Sequence, residues 1–320
     1  MNVDGLHHVT AITADIDTNL AFYGQLLGLR LVWQGVNADD PDMRHIAYGD
    51  EQGRPGSLVT FFDMPGVMRG RPGAGMVHRL FFRVASEEAI DFWESRMDGA
   101  GVPSDRLADR LAFSDPEGLG LELVIDDGED EPLLADAPDV DEQVAIRGIH
   151  AVGAYSADPS RSAPVLGEVL GMEPDDGGRW LASGERRHGL VVYDTAPAER
   201  GITGAGTVHH AAFTIRDGEQ DAWQSHLAAA GLRPTPVLDR KMARSVYFRD
   251  PSGVLLEVAT DQPGFVFEPP KQLGESLVLI GDLEHRRAEL ERRFPLLPNP
   301  WTKTPSAERW YSRSDEACGR

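Results

Sequence analysis

The sequence predicts an α+β fold of four βαβββ modules arranged as two domains. Three observations predict it: a histidine-led segment recurs four times, a glycine follows each histidine at nearly constant distance, and two matching Asp-Pro-x-Gly turns separate apolar runs. The four segments are GLHHVTAITAD from Gly5, MVHRLFFRVAS from Met76, GIHAVGAYSAD from Gly148 and TVHHAAFTIRD from Thr207. Each carries its histidine in third place, at His7, His78, His150 and His209. The apolar run behind each histidine reads as a strand ending in a polar turn.

Each strand leads into apolar residues at helical spacing. They are Leu20, Tyr23 and Leu27 in module one, and Ile90, Trp93 and Met97 in module two. Module three has Val165 and Val169, and module four has Trp223, Leu227 and Ala230. Gly28, Gly101, Gly171 and Gly231, 21 to 23 residues after the histidines, close these stretches as left-handed caps. About three strand-like runs complete each module. FSDPEGLGLELV (113–124) and FRDPSGVLLEVA (248–259) match closely, because proline presets φ in the turn and glycine accepts a positive one.

Residues 1–126 are expected to form an N-terminal domain of two modules and 146–262 a C-terminal domain of two more. The acidic, aperiodic stretch 127–145 between them reads as a linker. Residues 263–320 lie outside the repeat, as an extension with one helix in GDLEHRRAELERRF (281–294) and a loose tail.

Composition narrows the function. At 320 residues the chain has room for about two domains. It carries 31 Lys plus Arg against 52 Asp plus Glu, a net charge of −21 that speaks against nucleic acid and anionic membranes as partners. No apolar run approaches the ~18 residues of a membrane span, and MNVDGLHHV has no secretory character, so a cytoplasmic location is expected. The single cysteine, Cys318, excludes a disulfide framework and a thiolate metal site.

The chemistry lies next to the repeated histidines. The following position is His8 in module one, Arg79 in two, Ala151 in three and His210 in four. A glutamate in the last strand occurs only in module two, Glu122, and module four, Glu257. Pairing neighbouring modules gives no set of three ligands. Pairing module one with module four gives His8, His210 and Glu257, and leaves Arg79, Ala151 and Glu122 as no metal site. One site per chain, built across the two halves, is therefore expected. Two neutral imidazoles and a carboxylate suit a borderline divalent metal and leave three positions open. Glu257 in the apolar run LLEVA would otherwise be a buried charge without compensation. His7, His78, His150 and His209 recur in modules without ligands, which points to a role in the fold.

Those residues resemble the vicinal oxygen chelate superfamily of glyoxalases, bleomycin-resistance proteins and extradiol dioxygenases. The likeness is greatest to its ring-cleaving dioxygenases that open para-hydroquinones. GLHHVTAI, LVWQGVNADDPDMRHIAYGDEQGRPGSLVTFFDMPG, VHHAAFTI and PVLDRKMARSVYFRDPSGVLLEVATDQPGF carry the likeness, over roughly residues 4–295. It implies iron(II), with manganese(II) as the alternative, held by His8, His210 and Glu257. It also implies a small aromatic substrate and O2 as partners, and is compatible with a homo-oligomer. Tyr247 and Arg240 are implied as catalytic residues, Tyr247 donating to an oxygen atom and Arg240 stabilising anionic charge. His7, Thr10 and His209 are implied at the substrate, although strict alternation along a strand would turn His7 and His209 away from their neighbouring ligands. Lys241 and Met242 stand where an aromatic residue is usual, which bears on substrate size. The rival readings are a glyoxalase-type lyase or isomerase, whose sites use two carboxylates, and a non-catalytic protein that binds aromatics or drugs. A catechol enzyme would draw its site from modules three and four, where Ala151 replaces a ligand.

Overall fold

The computed structural model describes residues 1–126, 128–264 and 267–302. Module one holds β1 (Leu6–Thr13), β2 (Arg30–Val36), β3 (Arg44–Gly49) and β4 (Leu58–Asp63). Module two holds β5 (Met76–Val84), β6 (Ser104–Leu107), β7 (Arg110–Ser114) and β8 (Gly120–Ile125). In module three are β9 (Ile149–Ser156), β10 (Glu173–Asp175), β11 (Arg179–Ser183) and β12 (His188–Thr195). Module four has β13 (Val208–Ile215), β14 (Leu238–Asp239), β15 (Arg244–Arg249) and β16 (Leu255–Thr260). All four share one topology, the first strand lying parallel to the fourth in the order first, fourth, third, second.

The modules do not pair as sequence neighbours. β1 runs antiparallel to β13, which joins modules one and four into a nine-stranded sheet. β5 runs antiparallel to β9, which joins modules two and three into an eight-stranded sheet. A core of large fully buried side chains, including Phe22, Phe82, Trp93, Phe213 and Trp223, draws on both sheets. No described helix is long and apolar enough to cross a membrane.

After the short α1 (Ile16–Asn19) of module one, modules two and four carry the expected helices, α2 (Glu87–Ala100) and α3 (Gln220–Ala229). Modules one and three differ from expectation. There α1 (Ile16–Asn19) passes into a π-helical stretch, Leu20–Leu26, and module three has a 3₁₀ turn, Pro159–Arg161, and a π turn, Val165–Val169. Both π stretches close with bonds five residues back, Leu27 N–H to the Phe22 carbonyl and Leu170 N–H to the Val165 carbonyl, each 2.9 Å. The neighbours Phe22 and Tyr23, like Leu26 and Leu27, are all buried. The wider turn keeps two adjacent positions against the core, which a 100° step would splay apart. All four closing glycines adopt positive φ, and at Gly28 (φ 68°) a Cβ would also press on Val140 and Ala137 of the linker at 3.1 and 3.2 Å.

The repeated histidines share one backbone feature. Each central strand pair slips by one residue at each of its two histidines. Leu6 and His8 face Phe213 and Ala212, while Thr10 and Ala11 face His210 and Val208. In the other sheet Val77 and Arg79 face Ala154 and Gly153, while Phe81 and Phe82 face Ala151 and Ile149. The extra residues are His7, His209, His78 and His150, each the inserted residue of a β-bulge. The expectation that alternation turns His7 and His209 away is thereby corrected. A bulge breaks the two-residue period, so both members of each His-His pair can reach the same side.

The Asp-Pro-x-Gly turns are built as their residues require. Asp115 accepts backbone N–H groups from Glu117 and Leu119, and Asp250 accepts that of Val254, with Gly118 and Gly253 at positive φ. Asp250 also accepts hydroxyl hydrogen bonds from Ser162 and Tyr193, tying module four to module three. The linker lacks regular structure yet packs Leu133, Ala137 and Val140 inward. The extension contributes β17 (Leu277–Val278), parallel to β2, and α4 (Arg287–Arg293) behind a 3₁₀ turn from Glu284. Gln34 holds it through hydrogen bonds to Gly274 and Leu297. The expected loose tail, with Cys318, lies outside the described residues from 303 onward. Asp250→Ala removes the acceptor of the Tyr193 hydroxyl and the Val254 N–H and one of the partners of Ser162, and urea unfolding should show a loss of about 3 kcal/mol with an unchanged slope.

Candidate metal centre

His8 comes from β1, His210 from β13 and Glu257 from the neighbouring β16, where Glu257 lies beside Ala212. Their donor atoms form a small triangle. His8 Nε2 is 3.1 Å from His210 Nε2, His210 Nε2 is 2.9 Å from Glu257 Oε2, and His8 Nε2 is 3.3 Å from the same oxygen. Among the described residues these three are the group able to hold a metal ion. Donors on one face of an octahedron with bonds of about 2.1 Å lie about 3 Å apart, which matches the triangle. Glu257 is 1 % exposed, and its Oε2, despite both imidazoles nearby, makes no hydrogen bond. A buried carboxylate oxygen that converges with two imidazole nitrogens and makes no hydrogen bond among the described residues fits a shared cation. Burial alone would raise the Glu257 carboxyl, but the imidazoles of His8 and His210 outweigh it and hold the group well below the usual carboxylate range.

The bulged histidines set the imidazoles beside them. His7 Nε2 lies 3.2 Å from the Thr260 carbonyl, which can only accept, so His7 carries its proton there. Its bare Nδ1 then takes the Nδ1–H of His8 at 2.8 Å, leaving His8 Nε2 with a free lone pair toward the triangle. His209 Nδ1 pairs with His210 Nδ1 at 2.8 Å in the same way. Burial first, and neighbouring imidazoles second, push His7 and His45 well below the ordinary histidine value. Burial lowers His210 too, against the pull of Glu257.

The other sheet supplies an internal comparison. Glu122 on β8 occupies the position of Glu257, Arg79 that of His210 and Ala151 that of His8. Glu122 is buried as Glu257 is, but it pairs with Arg79 and Arg110, and Arg79 also binds Asp194. A guanidinium thus neutralises one carboxylate from within. Glu257 has no Lys or Arg partner among the described residues, only the two imidazoles.

The triangle opens into a cavity of about 500 Å3. Trp33, Leu58, Phe62, Leu238, Met242 and Ile280 supply much of its apolar wall. Tyr247, facing Glu257 across β15 and β16, packs its ring edge-on against His210 at 5.3 Å. Burial, and then the charge of Glu257, keep its phenol well above the ordinary value. Arg240 lies over the Tyr247 ring at 5.4 Å and forms a two-bond ion pair with Asp39 at 2.8 and 2.9 Å, which bridges modules four and one. Thr10 Oγ1 is 3.1 Å from His210 Nε2, while His7 lies in the buried wall and His209 at the open rim. Lys241 is exposed with a positive φ, whereas Met242 lines the cavity. The cavity also contains His45, which the sequence pattern did not single out. It lies on β3, has no counterpart in the other modules, and its one signal was its place in the stretch RHIAYGDEQGRPGSLVTFF.

Glu257→Gln should lower metal affinity by roughly a hundredfold or more in equilibrium dialysis, whereas Glu122→Gln should leave metal stoichiometry unchanged. In metal-free protein, His7, His45 and His210 stay neutral while the unfolded chain protonates near the ordinary value of 6.5. The unfolded state therefore binds more protons, and stability should fall as pH drops below about 6.5. Chemical unfolding at pH 7 and pH 5.5 measures that loss.

Residues 5–123 and 148–258 match the model of the Glyoxalase/Bleomycin resistance protein/Dioxygenase superfamily. MhqE of Bacillus subtilis (strain 168), provisionally named a ring-cleaving dioxygenase, is 37 % identical over 93 % of this chain and 100 % of its own length. A chlorohydroquinone/hydroquinone 1,2-dioxygenase of Sphingobium indicum is 30 % identical, over 91 % of this chain and 95 % of its own. The crystal structure of a Bacillus subtilis protein, provisionally named a dioxygenase, superposes with a TM-score of 0.84 at 36 % identity, covering 93 % of this chain and 97 % of that one. Glyoxalase I of Zea mays shares the fold at a TM-score of 0.56 and 16 % identity, covering 80 % and 92 %. With its four modules and two histidine-bulged sheets, this chain belongs to the glyoxalase, bleomycin-resistance and dioxygenase superfamily.

Proposed function

We propose that this chain is an iron(II)-dependent ring-cleaving dioxygenase that opens a hydroquinone-type aromatic ring with O2, manganese(II) being the alternative metal. The observation that carries the reading is Glu257, a buried carboxylate with two imidazole nitrogens beside it and no guanidinium or ammonium partner among the described residues, at a largely apolar cavity. Two histidines and one carboxylate leave open positions of the kind non-haem iron(II) oxygenases use. The relatives named for ring cleavage and for hydroquinone oxidation support the substrate class.

His8, His210 and Glu257 would hold the metal, which when bound couples an electron-rich ring to dioxygen. The protein's own groups do the rest. The Thr260 carbonyl, through His7, keeps the His8 lone pair directed inward. Tyr247, held protonated, can donate a hydrogen bond to an oxygen of the substrate but cannot remove a proton. His209, at the rim with its Nδ1 taken up by the Nδ1–H of His210, is neutral at pH 7, burial and the neighbouring His210 lowering it to about 4, and presents its Nε2–H to an oxygen of the bound ring. Thr10 beside the His210 donor helps orient the reacting end, and Arg240 supplies positive charge as acidic products form. The apolar walls keep water away from the opened ring.

Protein loaded anaerobically with iron(II) should consume O2 with methylhydroquinone and not with catechol. Glu257→Gln should abolish the uptake. Tyr247→Phe should lower kcat about a hundredfold while metal content stays constant. No uptake with either substrate, despite bound metal, would overturn the reading in favour of a glyoxalase-type lyase or isomerase or a non-catalytic aromatic-binding protein.

A further inference from the structure

A polar line crosses the otherwise apolar cavity wall. It starts at Thr10 Oγ1, 3.1 Å from the His210 donor nitrogen, and continues to Thr60 Oγ1 at 2.9 Å. From there it reaches His45 Nε2 at 2.8 Å and stops. The three residues stand on β1, β4 and β3, adjacent strands in that order, so the line leads directly away from the metal ligands. His45 Nδ1 has no hydrogen-bond partner among the described residues. The ring is held by an edge contact to Trp33 (4.8 Å, 87°) and a tilted contact to Phe62 (4.6 Å). A histidine serving only to fill a core would satisfy both nitrogens. This one is anchored through one nitrogen among aromatic side chains and keeps the other in reserve.

We propose that His45 is a specificity-determining residue, whose Nδ1 accepts a hydrogen bond from the substrate hydroxyl farthest from the metal, the second hydroxyl of a para-hydroquinone. This rests on the ring-cleaving reading of the same site. Its geometry follows from the wall: Thr10 marks the metal-facing end, His45 lies two hydrogen bonds farther along, and the ring lies between them against Trp33 and Phe62. With His45 Nε2–H donating to Thr60 and Thr60 donating to Thr10, every group in the line keeps a partner and Nδ1 presents its lone pair. A ligand with a single hydroxyl leaves that lone pair buried and unpaired, so a monophenol is discriminated against.

The test is anaerobic calorimetry of iron(II)-loaded full-length protein with hydroquinone and with phenol, which differ only in the second hydroxyl. His45→Phe should weaken hydroquinone binding about tenfold and tighten phenol binding severalfold, since no acceptor is then left unpaired, with the metal still stoichiometric. His45→Gln, which retains an acceptor, should recover part of the loss. Equal losses for both ligands, which would indicate packing, or no loss for hydroquinone, would overturn the proposal. If the wild type binds hydroquinone without consuming O2, the ring-cleaving reading falls and binding still decides the role of His45. If the wild type binds no hydroquinone, both fall.

Discussion

The centre of this molecule depends on the antiparallel contact between β1 and β13, strands some two hundred residues apart in the chain. Two bulges, at His7 and His209, interrupt that contact. Without them each His-His pair would divide between the two faces of the sheet, and the buried imidazoles would lose the partners that fix their tautomers. With them, four histidines gather at one place, two toward a shared point and two behind or beside these. The carboxylate follows from the same pairing, because β16 lies parallel to β13 and delivers Glu257 next to His210.

The duplicated architecture shows how two physical solutions answer one problem. Both sheets bury a glutamate at the same register position. Leaving either charge unpaired in the interior would cost several kcal/mol. In modules two and three Arg79 supplies the positive charge permanently, and its methylene chain packs where Gly153 leaves room. Modules one and four have imidazoles there, which can remain neutral and offer lone pairs. The first arrangement is self-contained; the second leaves three donor atoms converging on one point that could hold a metal ion. One sheet is thereby structural, while the other keeps its chemistry open to the cavity.

The cavity owes its shape to elements that meet only in the folded chain. Trp33 comes from the far side of module one, Arg240 and Tyr247 from module four, and Ile280 from the extension behind β17. The Arg240–Asp39 ion pair joins modules four and one at the cavity. Gln34 ties the extension down, so residues beyond the repeat still contribute to the wall.

The residues by themselves determined the repeat, the closing glycines and the Asp-Pro-x-Gly turns. These depend on local backbone geometry: positive φ at Gly28, Gly101, Gly171 and Gly231, and a preset φ at Pro116 and Pro251. The set His8, His210 and Glu257 was legible by counting, because only a pairing of modules one and four unites two imidazoles with a carboxylate. Three features were not legible. The bulges at the repeated histidines are register shifts between two strands, and a single strand carries no record of its partner's register. The π turns of modules one and three arise from packing adjacent residues such as Phe22 and Tyr23 into a core drawn from both sheets. His45 reaches the cavity because β3 lies two strands from β1 and its ring is caught between Trp33 and Phe62, a placement decided by sheet order in three dimensions.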